Sequence, residues 1–293
     1  QFDEAEARRR HQERSSSWKD WVGRFPIQEM RKRKWLPSQA PSDADAVLSF
    51  LGVSSPESWN AVWRASSVAY RQTRRSEVSP EAVAAWVRRT EIEAAEISTQ
   101  PFDEDRFVEV LGELRQHTRL PVAEALDKVQ QACAATGVAL VVVPELSHTG
   151  ISGCARWLTN TKPLIALTLR YKTDDQLWFT FFHEVGHIVL HRHKRDFVLD
   201  NAVEELSDNV VDPEMTPYEE EANRFSCDML IPPPELSEFI KAGKFTSEDI
   251  YAFAEREGVG PGIVVGRLQR EGILQHFQGN RFKQKLHWGI RDD

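Results

Sequence analysis

The stretch from Leu177 to Leu190 constrains this chain more than any other. Leu177, Trp178, Phe179, Phe181 and Phe182 lead into His183-Glu184-Val185-Gly186-His187, and Ile188, Val189 and Leu190 follow. A helix apolar on nearly every side has to lie in a core. A Glu and two His carried there are costly unless each polar group finds a partner. His183 and His187 are four residues apart, so their rings stack on one helical face. Two imidazoles so placed can hold one Zn²⁺ through ring nitrogens, and the metal would supply the missing compensation. Glu184, next to His183, could take a proton from the attacking water. The five-residue pattern fixes only three positions, so a chance match is the competing reading. The apolar setting and a third-ligand candidate downstream weigh against it.

Catalytic zinc usually takes three protein ligands and keeps one position open. His193 lies ten residues after His183, the distance found in HExxHxxGxxH sites. That pattern needs a helix-breaking Gly where this chain has Leu190, so His193 points away from the pair. His191 lies a turn too far along the axis and reads as a side chain reaching to solvent. The stronger candidates are Glu219, Glu220 and Glu221, which open the next helix. Three glutamates there also complement the helix dipole, which accounts for two of them. Glu219 and Asn223 are four apart and share a face. A carboxylate ligand with a polar residue one turn on can bind metal and hold a ligating His from behind. The expected metal ligands are therefore His183, His187 and Glu219, with Glu220 or Glu221 as fallback. Asn223 supports them and Glu184 is the base.

Around this motif the chain changes character twice. Residues 1–120 read as short helices with no credible strand. A charged helix opens them. Ser42-Asp43 reads as a Ser cap, and Ser55-Pro56-Glu57 and Ser79-Pro80-Glu81 as start signals of the Ser-cap, Pro-first kind. Asp103 caps a further helix, and the Trp residues at helical spacing read as core. Pro121 opens a helix to about Ala135, stopped by Gly137. Then Val138–Val143, Gly150–Leu158 and Pro163–Leu169 read as strands, the last two forming a hairpin. Asp174-Asp175 begins the motif helix. A long acidic stretch leads to Pro217, a second helix runs to Leu230, and Pro232-Pro233-Pro234 ends it. Two tail helices lie within 245–275. Their helix–turn–helix spacing reads as packing rather than DNA reading, because few basic residues decorate the second one. The expected fold is α+β. A helical domain over 1–120 precedes a second domain over 121–293 that carries the metal motif and a small sheet of three or more strands.

Charge narrows the partners. Residues 1–120 carry 19 basic and 19 acidic side chains, whereas 121–293 carry 18 and 26. An acidic half is a poor general nucleic-acid binder, since phosphate contacts drive that affinity. Arg8-Arg9-Arg10 and Arg31-Lys32-Arg33-Lys34 read as solvated faces. No direct nucleic-acid binding by this chain is expected. No apolar run is long enough to span a membrane. Cys133, Cys154 and Cys227 are scattered and odd in number, which fits a reducing, cytoplasmic setting. The chain opens Gln1-Phe2-Asp3-Glu4 without Met, which reads as a truncated or processed product. The sequence does not specify an oligomeric state.

The run His183-Glu184-Val185-Gly186-His187-Ile188-Val189-Leu190-His191, then Glu219-Glu220-Glu221-Ala222-Asn223-Arg224-Phe225-Ser226, then Leu230-Ile231-Pro232, resembles the ImmA/IrrE metallopeptidases. The resemblance extends over roughly residues 121–275, and the combination is far more specific than HExxH alone. It favours Glu219 as the third ligand. It implies a minimal, gluzincin-like zincin fold in a bacterial or phage-borne protein. The implied activity is site-specific cleavage of a repressor or antitoxin-like DNA-binding protein, in stress response or mobile-element control. The helical N-terminal region resembles long members that carry an Xre-type helix–turn–helix ahead of the peptidase, described as HigA-like antitoxins or regulators. That module is not in this chain. One departure is Cys227, where members often have Ala.

The expected chemistry is zinc-dependent endopeptidase cleavage of a specific protein, active as isolated or latent. An edge strand of the sheet could hold the substrate extended. Tyr171, Arg170 and His148 are candidates for stabilising the oxyanion. Cys154 reads as a small buried residue rather than a fourth, inhibitory ligand. The alternative is a non-catalytic regulator or antitoxin that uses the zincin domain for sensing or partner binding, its site closed by the acidic stretch.

Overall fold

The computed structural model describes residues 18–61, 78–192, 198–200 and 216–288. The charged helix expected over the first 17 residues, Val62, Trp63, His193 and most of the acidic stretch lie outside the described residues. The chain divides into two compact units: residues 1–92 with 145–150, and residues 93–144 with 151–293.

The first unit is helical where described. It contains α1 (Lys19–Val22), α2 (Ile27–Lys32), α3 (Asp43–Leu51) and most of α4 (Pro80–Glu96). The start signals act as caps. Ser42 Oγ accepts from Asp45 N–H at 3.2 Å, and Ser79 Oγ accepts from Ala82 N–H at 3.2 Å. Tryptophans form the core, as their spacing predicts. Trp21, Phe25 and Trp59 meet edge-to-face with ring centroids 5.0, 5.9 and 5.7 Å apart, and Trp35 stacks on Phe50. Residues 145–150 join this unit through polar contacts. Arg33 donates to Glu145 O at 2.7 Å, and Ser147 N–H donates to Glu29 at 3.0 Å.

The second unit is α+β. It opens with α5 (Glu104–Gln116) and α6 (Val122–Ala135), followed by β1 (Ala139–Val142), β2 (Gly153–Thr159) and β3 (Lys162–Leu167). Then come α7 (Asp174–Leu190), β4 (Val198–Asp200), α8 (Thr216–Leu230), α9 (Pro233–Ala242), α10 (Ser247–Glu257) and α11 (Pro261–Arg270). The sheet order is β1-β3-β2-β4. β1 and β3 are parallel, with Leu140 opposite Ile165. β2 and β3 form the expected antiparallel hairpin, with Ala155 opposite Ile165. β3 is central, and Leu164 through Leu167 are fully buried, as a strand covered on both faces should be.

One core joins α5 and α6 to the sheet and α7. Phe107, Leu111 and Leu114 of α5 and Val122, Ala125, Val129 and Cys133 of α6 pack in the same cluster as Leu140, Ile165, Trp178, Phe181, Phe182 and Val185. The division therefore falls at Ile92/Glu93 rather than at 120. The apolar stripe of α5 at i, i+4 and i+7 is covered by the sheet-bearing unit. Gly137 (φ +99°) ends the connection after α6; a Cβ there would lie 2.2 Å from Phe102 Cα, so only Gly fits. The Pro232–Pro234 run acts as the stop it reads as, and has a second role. It ends α8 and also opens α9, with Pro in the first turn, where a missing N–H costs nothing.

Candidate metal centre

The centre is built where α7 and α8 cross closely. Gly186 makes the approach feasible: a Cβ there would sit 3.2 Å from Ala222 Cα and 3.3 Å from the Phe225 ring. Ser226 Oγ ties the pair further by donating to Phe179 O at 2.8 Å. On α7, His183 and His187 lie one turn apart and are buried. On α8, Glu219 and Asn223 lie one turn apart and face them.

The distances are those of a convergent donor set. The Nε2 atoms of His183 and His187 are 2.9 Å apart. Glu219 brings Oε2 to 3.2 Å from His183 Nε2 and Oε1 to 3.6 Å from His187 Nε2. The three residues can each offer a ligand atom within 4.8 Å of the others. Tetrahedral zinc bonds of about 2.05 Å would hold their donors about 3.3 Å apart. The donors fit such an ion in chemistry, two imidazoles and one carboxylate, and in spacing. Burial pushes His187 down to about 4, so the ring is neutral and its nitrogen can bind metal. Burial alone would raise the Glu219 carboxyl. The two imidazole edges facing it prevail and hold it below its usual range, as an anion. Its side chain is 22% exposed while both histidines are enclosed, so solvent reaches the centre from the Glu219 side.

Asn223 presents Oδ1 to Nδ1 of His183 at 3.0 Å. An amide oxygen only accepts, so Nδ1 carries the proton and Nε2 is left as a lone pair toward the centre. Glu184 is fully buried beside the candidate ligands. The start of β2 runs tightly over it: a Cβ on Gly153 would meet Glu184 Oε1 at 2.5 Å and Thr180 Cγ2 at 2.6 Å.

Two residues stand elsewhere than the sequence suggested. His191 is buried, not reaching to solvent. It is the C-cap of α7 (φ −116°, ψ 25°), so it leaves the helical path and turns back toward His187. Glu221, a fallback ligand, points at His191 instead, with Oε2 2.9 Å from its Nε2. The i, i+4 series His183, His187, His191 was the signal available for this. Of the oxyanion candidates, Tyr171 lines a pocket of about 470 Å³ with Phe179, Arg267 and Arg270, and Arg170 lies over the Tyr171 ring. His148 belongs to the helical unit, its carbonyl accepting from Ser79 N–H. The tail arginines engage neighbouring helices: Arg267 donates to Cys227 O at 2.8 Å, and Arg270 lies over Phe179 at 4.5 Å.

Among the described residues, no helix is long and apolar enough to cross a membrane. A comparison with curated proteins returns no match. Residues 142–269, from β1 to the end of α11, match the IrrE N-terminal-like domain of the M78 peptidases. With two His and a Glu converging beside a buried Glu, residues 142–269 are similar to a domain of the ImmA/IrrE family, a family of metallopeptidase type.

Proposed function

We propose that this chain is a zinc-dependent endopeptidase that cleaves a specific protein. The observation that carries the reading is the convergence of His183, His187 and Glu219 beside the buried carboxylate of Glu184. These three would hold the ion. When bound, zinc supplies Lewis acidity that polarises the scissile carbonyl and makes water acidic enough to attack near neutral pH. Glu184 takes the proton of the attacking water and delivers it to the leaving amine. Its burial keeps competing water away from that transfer. Asn223 keeps the His183 ring aimed. The family resemblance points to a DNA-binding repressor or antitoxin as substrate, in stress response or mobile-element control. The scattered, odd number of cysteines supports a reducing, cytoplasmic setting, and the acidic balance of residues 121–293 supports a protein substrate over direct nucleic-acid binding.

A latent form of the same enzyme is favoured by one observation. β4, from the acidic stretch, pairs antiparallel with β2 at Gly153–Ala155, the strand segment that overlies Glu184. A substrate adding to that edge would compete with β4. The test is to incubate zinc-loaded chain with a bacterial lysate and map new N-termini. Wild type, but not Glu184→Gln, should create one new terminus in a helix–turn–helix protein. Cleavage that survives Glu184→Gln overturns the base assignment. No cleavage by wild type or by Leu199→Pro, which breaks β4, favours a non-catalytic regulator.

A further inference from the structure

The metal centre has a second layer of side chains on the His187 side. Nδ1 of His187 is 3.0 Å from Nδ1 of His191, and Nε2 of His191 is 2.9 Å from Oε2 of Glu221. The direction of these two bonds follows from what each atom can do. An ionised carboxylate only accepts, so Nε2 of His191 must donate. A neutral His191 that is protonated on Nε2 has a bare Nδ1. That bare nitrogen can only accept, so Nδ1 of His187 must donate to it. His187 protonated on Nδ1 has a bare Nε2, and that is the atom turned toward His183 and Glu219.

The opposite tautomer of His187 would put an N–H among the three ligand atoms and leave two bare nitrogens facing each other at the His191 contact. Neither arrangement can bind a cation well. Asn223 does the corresponding work for His183. The ring of His191 is itself held in place: its side chain is 2% exposed, and Tyr218 packs against it edge-on at 5.0 Å. Glu221 is 56% exposed, so water can replace it in part, whereas nothing can replace His191 in its enclosed position.

We infer that His191, anchored by Glu221, is a positioning residue that fixes the metal-binding tautomer of His187. This rests on the reading of His183, His187 and Glu219 as a zinc site. Groups that orient a ligating His commonly contribute about 10- to 100-fold in metal affinity. The test is zinc affinity by competition titration, with the visible spectrum of the cobalt(II)-substituted chain as a second readout. His191→Phe keeps the ring volume and has no acceptor. His191→Asn keeps an acceptor where Nδ1 stood.

The expected result is a loss of about 10- to 100-fold in zinc affinity for His191→Phe, with altered cobalt bands. His191→Asn should stay within about threefold of wild type with bands preserved. Wild-type affinity in His191→Phe overturns the inference. So does an equal loss in both variants, which would make His191 a packing residue. Wild type that takes up neither zinc nor cobalt overturns the zinc reading itself, a result separate from the other two.

Discussion

Asp174 offers a prediction that does not depend on any substrate. It opens α7, yet it is buried at 1% exposure. Its Oδ1 accepts from Gln284 N–H at 2.9 Å, while Oδ2 is buried with no hydrogen-bond partner among the described residues. Asp175 beside it is buried too, ion-paired with Lys283 at 2.7 Å. Burial first, and the Asp175 charge second, raise Asp174 from 3.8 to about 6. An acid whose pKa is raised by folding is better tolerated protonated. The folded chain therefore holds more protons than the unfolded chain between about pH 4 and 6, and stability falls as pH rises through that window. At 1.36 kcal/mol per unit, the raise corresponds to roughly 3 kcal/mol lost above pH 7. Asp174→Asn keeps the acceptor for Gln284 and removes the charge. It should match wild type near pH 4 and exceed it by roughly 3 kcal/mol above pH 7, a Tm rise of roughly 6–12 °C. The comparison must be between the two proteins at each pH, because His187 pushes the wild-type curve the opposite way over much of the same range. Calorimetry of metal-free protein at about pH 4.5, 6 and 7.5 reads the difference. A difference that is constant with pH, or a variant less stable at pH 7.5, refutes the reasoning.

Gly153→Ala would place a methyl 2.5 Å from Glu184 Oε1, and restoring ordinary contact of about 3.5 Å needs a shift of about 1 Å. A misplacement of that size costs about 100-fold in rate; zinc content should be unchanged, and hydrolysis of an unfolded protein substrate within a few-fold of wild type would contradict this. Asn223→Ala removes the acceptor behind His183 and should weaken zinc about 10- to 100-fold in a competition titration. In metal-free protein, His187 is neutral when folded and takes a proton readily when unfolded. Its contribution to stability is present above pH 6.5 and is lost as pH falls toward about 4, by roughly 3 kcal/mol. His187→Phe should flatten that part of the pH profile followed by circular dichroism, and an unchanged slope would assign the pH dependence elsewhere.

The parts of the fold legible in the sequence were those with strong local periodicity. α7 and α8 declare themselves through apolar faces, and the i, i+4 pairs His183/His187 and Glu219/Asn223 mark one face of each, so the convergence of the candidate ligands needed only one packing assumption. The hairpin β2–β3 was legible from its turn. β4 was not, because three residues in an acidic stretch carry no alternation and their pairing with β2 is a long-range event. α5 showed its apolar stripe but not which unit would cover it. His191 reads as solvent-facing only on a helix that continues through it, whereas its backbone leaves the helix there. Asp174 and Asp175 look like ordinary first-turn acids, and only the packing of α11 on them reveals their burial. Gly262 and Gly266 leave the room: a Cβ at either would meet an aspartate oxygen at 2.7 or 2.5 Å.

The central claim is that His183, His187 and Glu219 hold one metal ion. Elemental analysis of the purified chain, beside Glu219→Ala, tests it most directly. The account predicts about one zinc per wild-type chain and a marked loss in the variant. Wild type without metal after reconstitution, or a variant that retains its zinc, would contradict it.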